Sequence, residues 1–77
     1  MVAKFLGYQK LDFMSDDGKR VEGVNIYVAH SDPHVTGEIT SKFYVNPEIK
    51  FPEQLKIGMQ VNLAFNHRGK IESITMK

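Results

Sequence analysis

The chain contains no cysteine and no tryptophan. The lack of cysteine excludes disulfide scaffolds, thiolate zinc sites and thiol nucleophiles. Long apolar runs are missing too. Nothing approaches the roughly 20 apolar residues of a membrane-spanning helix. The opening stretch Met1-Val2-Ala3-Lys4-Phe5-Leu6-Gly7 has no extended apolar segment, so a signal peptide is not expected. The expectation is an intracellular, cytoplasmic protein with no membrane partner. Neither sign of charge dominates: ten Lys and Arg stand against nine Asp and Glu, for a net charge of +1. The high net charge of a disordered segment is therefore absent, and so is the strong basic excess of many nucleic-acid binders. The six glycines are scattered and form no phosphate-cradling loop. No Ser-His-Asp arrangement follows from the spacing. We therefore expect neither enzymatic activity nor a cofactor.

What remains is a short chain with ordinary globular chemistry. Its 77 residues are 42% apolar and 25% charged, which suits one small domain. A chain of this size buries only about 60% of its unfolded surface. The core is thin, and a self-association surface helps it.

The dominant period is two. Val24, Ile26 and Val28 share one parity; Ile39, Phe43 and Val45 share another; Met59, Val61, Leu63 and Phe65 form a third set. Alternation with β-branched and aromatic residues marks half-buried strands. Five strands are expected near 2–14, 19–30, 37–45, 59–66 and 70–76. Ser15-Asp16-Asp17-Gly18 and Asn66-His67-Arg68-Gly69 read as hairpin turns. Residues 31–37 and 46–58 read as longer loops. Within the second, Pro52 to Lys56 admits one short helical turn, closed by Gly58. The first strand changes face, because Leu6 and Tyr8 differ in parity from Leu11 and Phe13. A bulge near Gln9-Lys10 reconciles them and bends the strand. Ile71 and Ile74 pose the same parity problem in the last strand. Gly23, inside the second strand, reads as a bulge or a corner.

Five short strands hide their edges by curling or closing. A long connection between strands three and four matches an all-β, five-stranded OB-like small barrel, with at most one short helical turn in that connection. The SH3-like barrel is the competitor, but it usually places its helical turn between the last two strands, where this chain has only a tight turn.

The residues best suited to a ligand lie on the polar parity of the central strands. Tyr27 is opposite in parity to Val24, Ile26 and Val28. Tyr44 and Lys42 are opposite to Phe43 and Val45. Lys19 and Arg20 begin the second strand, and Arg68 and Lys70 flank the last hairpin. Tyrosines beside cations suit single-stranded nucleic acid, because bases stack on the rings while Lys and Arg follow the phosphates. For such binding, acidic residues including Glu22, Glu38, Glu48, Glu53 and Glu72 must stand apart from the groove. The near-balanced charge implies modest, salt-sensitive binding per subunit. The competing reading is a protein-interaction or assembly barrel, with the tyrosines, Phe51 and Leu55 forming a partner surface. His30, Asp32 and His34 are the one metal-like cluster. Their spacing matches no metal signature and Asp-Pro is ordinary turn chemistry, so no metal is expected. At the last hairpin tip, His67 and Arg68 project outwards, either to clasp a backbone or as a solvated turn.

The layout resembles that of the small phage and plasmid-borne single-stranded DNA-binding proteins of OB type, which include the gene V protein class. The resemblance rests on chain length, five strands, Tyr27 and Tyr44, and the closing pattern Gly58-Met59-Gln60-Val61-Asn62-Leu63 with Gly69-Lys70-Ile71. It implies a homodimer that coats single-stranded DNA during replication with little sequence preference. RNA offers the same bases and phosphates. Cold-shock proteins fit less well, since Val24-Asn25-Ile26-Tyr27-Val28 keeps a single aromatic.

Overall fold

The computed structural model describes residues 1–77. It is all-β, with no helix. The strands are β1 (Val2–Met14), β2 (Arg20–Ser31), β3 (Glu38–Val45), β4 (Gln60–Phe65) and β5 (Ile71–Met76). They form one antiparallel sheet in the order β3-β2-β1-β4-β5. The outer strands β3 and β5 approach each other without hydrogen-bonded pairing. The sheet is therefore curled towards a barrel but open along that seam, where the Phe43 and Phe65 rings meet edge to face at 5.3 Å.

The curl follows from the core. Ala3 and Phe5 of β1, Ile26 and Val28 of β2, Val45 of β3, Val61 and Leu63 of β4, and Ile71 and Ile74 of β5 make one buried cluster. All five strands contribute, so the sheet must wrap its apolar face inwards. Alternation supplies the core residues of β1 to β4.

Turn chemistry sets the connections. In both tight hairpins the turn closes with an i to i+3 bond, Gly18 N–H to Ser15 C=O and Gly69 N–H to Asn66 C=O. The glycines take positive φ, 82° and 77°, as a three-residue hairpin loop requires. Asp32-Pro33 and Asn46-Pro47 start two related turns, with Asp32 Oδ1 accepting from His34 N–H and Asn46 Oδ1 accepting from Glu48 N–H.

Three local expectations change. The bulge in β1 lies between Phe5 and Gly7, not near Gln9-Lys10. Phe5 must face inwards opposite Val28, and Tyr8 opposite Ile26, so the extra residue has to fall between them. The helical turn after Pro52 does not form. Two successive β-turns replace it, closed by Leu55 N–H to Pro52 C=O and Met59 N–H to Lys56 C=O. Gly58, at φ 95°, occupies the position of the second turn that favours positive φ. Of the two readings of Gly23, bulge or corner, the bulge is excluded, since the β1–β2 register runs through it without a shift. In β5, a shift between Ala64 and Phe65 skips Glu72. It brings Ile71 and Ile74, three residues apart, onto the same buried side.

β3 covers β2 only from Val24 onwards, and β4 covers β1 only at Val2 to Lys4. The tip of the β1–β2 hairpin is therefore a two-stranded ribbon beyond the core. The molecule is correspondingly elongated, 42 × 29 × 25 Å.

Candidate functional site

The outer face of β2 and β3 carries the predicted tyrosines. Tyr27 is directly opposite Lys42, and Tyr44 directly opposite Asn25. Residues paired across an antiparallel ladder share a face. Tyr27, Lys42 and Tyr44 therefore stand together, away from the core-facing Ile26, Val28 and Val45. Tyr27 is 37% and Tyr44 46% exposed. The Tyr27 hydroxyl donates to Gln9 Oε1 at 3.4 Å. Gly7 lies opposite Tyr27 on β1, which leaves that flank of the ring open.

Tyr44 is held more firmly. Its hydroxyl donates to the backbone carbonyl of Glu22, on the stretch of β2 that has no β3 neighbour. Its ring covers Gly23. A Cβ at Gly23 would come within 2.6 Å of the ring, and Gly23 has φ +138°. The glycine thus serves a close aromatic approach and a backbone conformation that L-residues avoid.

The predicted cations divide. Lys42 lies between the two tyrosines. Lys70 reaches Tyr44 across the β3–β5 seam, where both line a cleft of about 260 Å³. Arg20 borders a depression on the other side of Tyr44, but its guanidinium is bridged to Asp12 at 2.9 Å and Glu22 at 2.7 Å. Lys19 and Arg68 sit at two separate hairpin tips, each away from the tyrosine rows. His67 and Arg68 are both exposed. The acidic residues are not fully segregated: Glu22, Glu48 and Glu72 border the clefts around Tyr44. At the other end of the face, Glu38 shares the parity of Lys42 and Tyr44 and borders a cleft with Lys4.

Two residues escaped the sequence reading. Lys4 is opposite Ala29, one row beyond Tyr27 on the same face. With the bulge after Phe5, Ala3 and Phe5 face the core and Lys4 between them faces outwards. Tyr8 lies on the reverse, core-side face, stacked on Phe5 with centroids 6.1 Å apart and planes 18° apart. It lines an apolar cleft of about 310 Å³ with Phe5, Lys10, Phe51, Pro52 and Leu55. Phe51 and Leu55 therefore join Tyr8, not Tyr27 and Tyr44. The two sets of aromatic residues occupy opposite sides of the sheet.

His30, Asp32 and His34 are used locally. His30 Nε2 is 3.0 Å from Ser41 Oγ, and Asp32 anchors its own turn. No group of three or more His, Cys, Asp or Glu side chains is placed to hold a metal ion. Asp17 sits at the β1–β2 turn. The Ser15 hydroxyl and then the Lys19 N–H bond its carboxylate and hold its pKa below the ordinary 3.8. No protein-family model, curated protein or solved structure matches the chain.

Proposed function

We propose that the outer face of β2 and β3 binds single-stranded nucleic acid, with DNA preferred and with little sequence specificity, in the replication of a phage or mobile element. The observation that carries this reading is the grouping of Tyr27, Lys42 and Tyr44 on one exposed face. Aromatic rings accept any base by stacking, and a cation between them meets the phosphate that joins two stacked bases. Lys4 extends the row beyond Tyr27, and Lys70 extends it beyond Tyr44. Lys19 and Arg68 act at the periphery, from the hairpin tips. Arg20 contributes least, because two carboxylates already satisfy it.

The test is tyrosine fluorescence during titration with oligo-dT at low and moderate salt. There is no tryptophan, so the three tyrosines report directly. Saturable quenching that weakens with salt is expected. Tyr27→Ala and Tyr44→Ala should each weaken binding by about 1–3 kcal/mol, Lys42→Ala should flatten the salt dependence, and Arg20→Ala should change little. Binding that is unaltered in both tyrosine variants refutes the assignment. The competing reading, a protein-interaction surface, is favoured by a different observation: the apolar cleft around Tyr8, Phe51 and Leu55 on the reverse face.

A further inference from the structure

The edge of β1 beyond its bulge is open. Up to Phe5 it is closed by chain, since Phe5 N–H donates to Met59 C=O and Phe5 C=O accepts from Gly58 N–H. Beyond Gly7 its only strand partner is β2. The hairpin bond from Ser15 N–H to Lys19 C=O fixes which groups face which way. In an antiparallel ladder, hydrogen-bonded and non-bonded pairs alternate. Phe13, Leu11 and Gln9 therefore bond to β2. Tyr8, Lys10, Asp12 and Met14 direct their N–H and C=O groups to the open side. This edge also exposes large apolar side chains beside Lys10 and Asp12: Tyr8 is 54%, Phe13 51% and Met14 64% exposed. An open edge of this kind is a template for another strand.

We propose that the edge is an interface with a second copy of this chain, β1 pairing antiparallel with β1 about a two-fold axis at Leu11. Charge complementarity selects the register. Centred on Leu11, Lys10 lies opposite the second copy's Asp12, and Asp12 opposite its Lys10. Centred on Lys10 or Asp12, like charges meet at the axis, which is destabilising. The backbone agrees with the charges. Leu11 bonds to β2 and is free to sit at a non-bonded crossing, while Lys10 and Asp12 supply the bonded pairs on either side. Both Arg20 contacts of Asp12 fall on Oδ1, so Oδ2 is left for the second copy's Lys10. The same register sets the second copy's Met14 opposite Tyr8, beside the cleft formed with Phe51, Pro52 and Leu55. A thioether against an aromatic ring is a favourable contact. That register also sets the second copy's Phe13 opposite Gln9, whose Oε1 accepts from the Tyr27 hydroxyl, so the interface adjoins the outer face but uses neither Tyr27 nor Tyr44.

Sedimentation equilibrium from about 1 μM to about 1 mM tests the interface. The full chain should show a monomer–dimer equilibrium. Lys10→Asp and Asp12→Lys should each weaken self-association by about tenfold or more, because each juxtaposes like charges twice. Mixing those two variants should restore a dimer, since both opposite-charge pairs re-form between them. Lys10→Pro removes an outward N–H while sparing the β1–β2 ladder, and should give a monomer with unchanged β-sheet circular dichroism. A wild-type chain that stays monomeric throughout overturns the proposal. So does a dimer that neither Lys10 variant weakens, or a pair of charge variants that fails to associate on mixing.

Discussion

Gly23 and Tyr44 constrain each other across β2 and β3. The glycine combines φ +138° with a ring lying where a Cβ would go. Gly23→Ala therefore meets backbone strain and a steric clash together. Strain of this kind costs about 1–3 kcal/mol. Tyr44→Phe removes only the hydroxyl bond to Glu22 C=O, worth about 0.5–1.5 kcal/mol. Urea denaturation should rank Gly23→Ala as the more destabilising. In the double variant with Tyr44→Ala the effects should be less than additive, because the clash has then gone. Strict additivity would show that the ring and the glycine are not coupled. The sequence marked Gly23 as unusual within a strand. It had no means of showing that the reason lies on the next strand.

At the scale of elements, the β1–β2 hairpin is held by its turn. Asp17 accepts from the Ser15 hydroxyl and the Lys19 N–H, and both favour the ionised form. A carboxylate whose folded pKa is depressed contributes stability that is complete above the unfolded value. That contribution disappears as the pH falls from about 3.8 through the lowered folded value. Thermal melts of wild type and Asp17→Asn should differ by a constant amount near neutrality and converge in acid. A gap that persists at low pH would mean that the carboxylate charge is not the stabilising feature. This turn was legible in the sequence, because Ser-Asp-Asp-Gly carries its hydrogen bonds within five residues. The bulge of β1 was not. The chain around Leu6 allows several positions for an extra residue, and the choice is made by Val28 and Ile26 across the ladder.

At the scale of the molecule, the seam between β3 and β5 is closed by side chains rather than by a hydrogen-bonded ladder. Phe65→Ala removes the ring that bridges it and should cost about 3 kcal/mol, the lower end for a large aromatic because Phe65 is only half-buried. Leu63→Ala empties a site deep in the shared cluster and should cost about 2–5 kcal/mol. The measurement that separates them is hydrogen exchange. Phe65→Ala should accelerate exchange preferentially in β3 and β5, whereas Leu63→Ala should accelerate it throughout the sheet. Uniform acceleration in both variants would mean that the seam does not open independently of the core.

The sequence by itself determined the five strands, the two tight hairpins and the common face of Tyr27, Lys42 and Tyr44. Each of these follows from alternation or from turn residues within a few positions, and local chemistry suffices for them. Only the tertiary structure decided that Arg20 is spent on Asp12 and Glu22, that Lys4 joins the tyrosine face, and that Tyr8 gathers Phe51 and Leu55 on the reverse side. It alone left the edge of β1 open beyond Gly7. Those outcomes depend on which distant strands pair and in what register. Register is a property of two segments at once: the burial of both together selects it, and neither segment carries it alone.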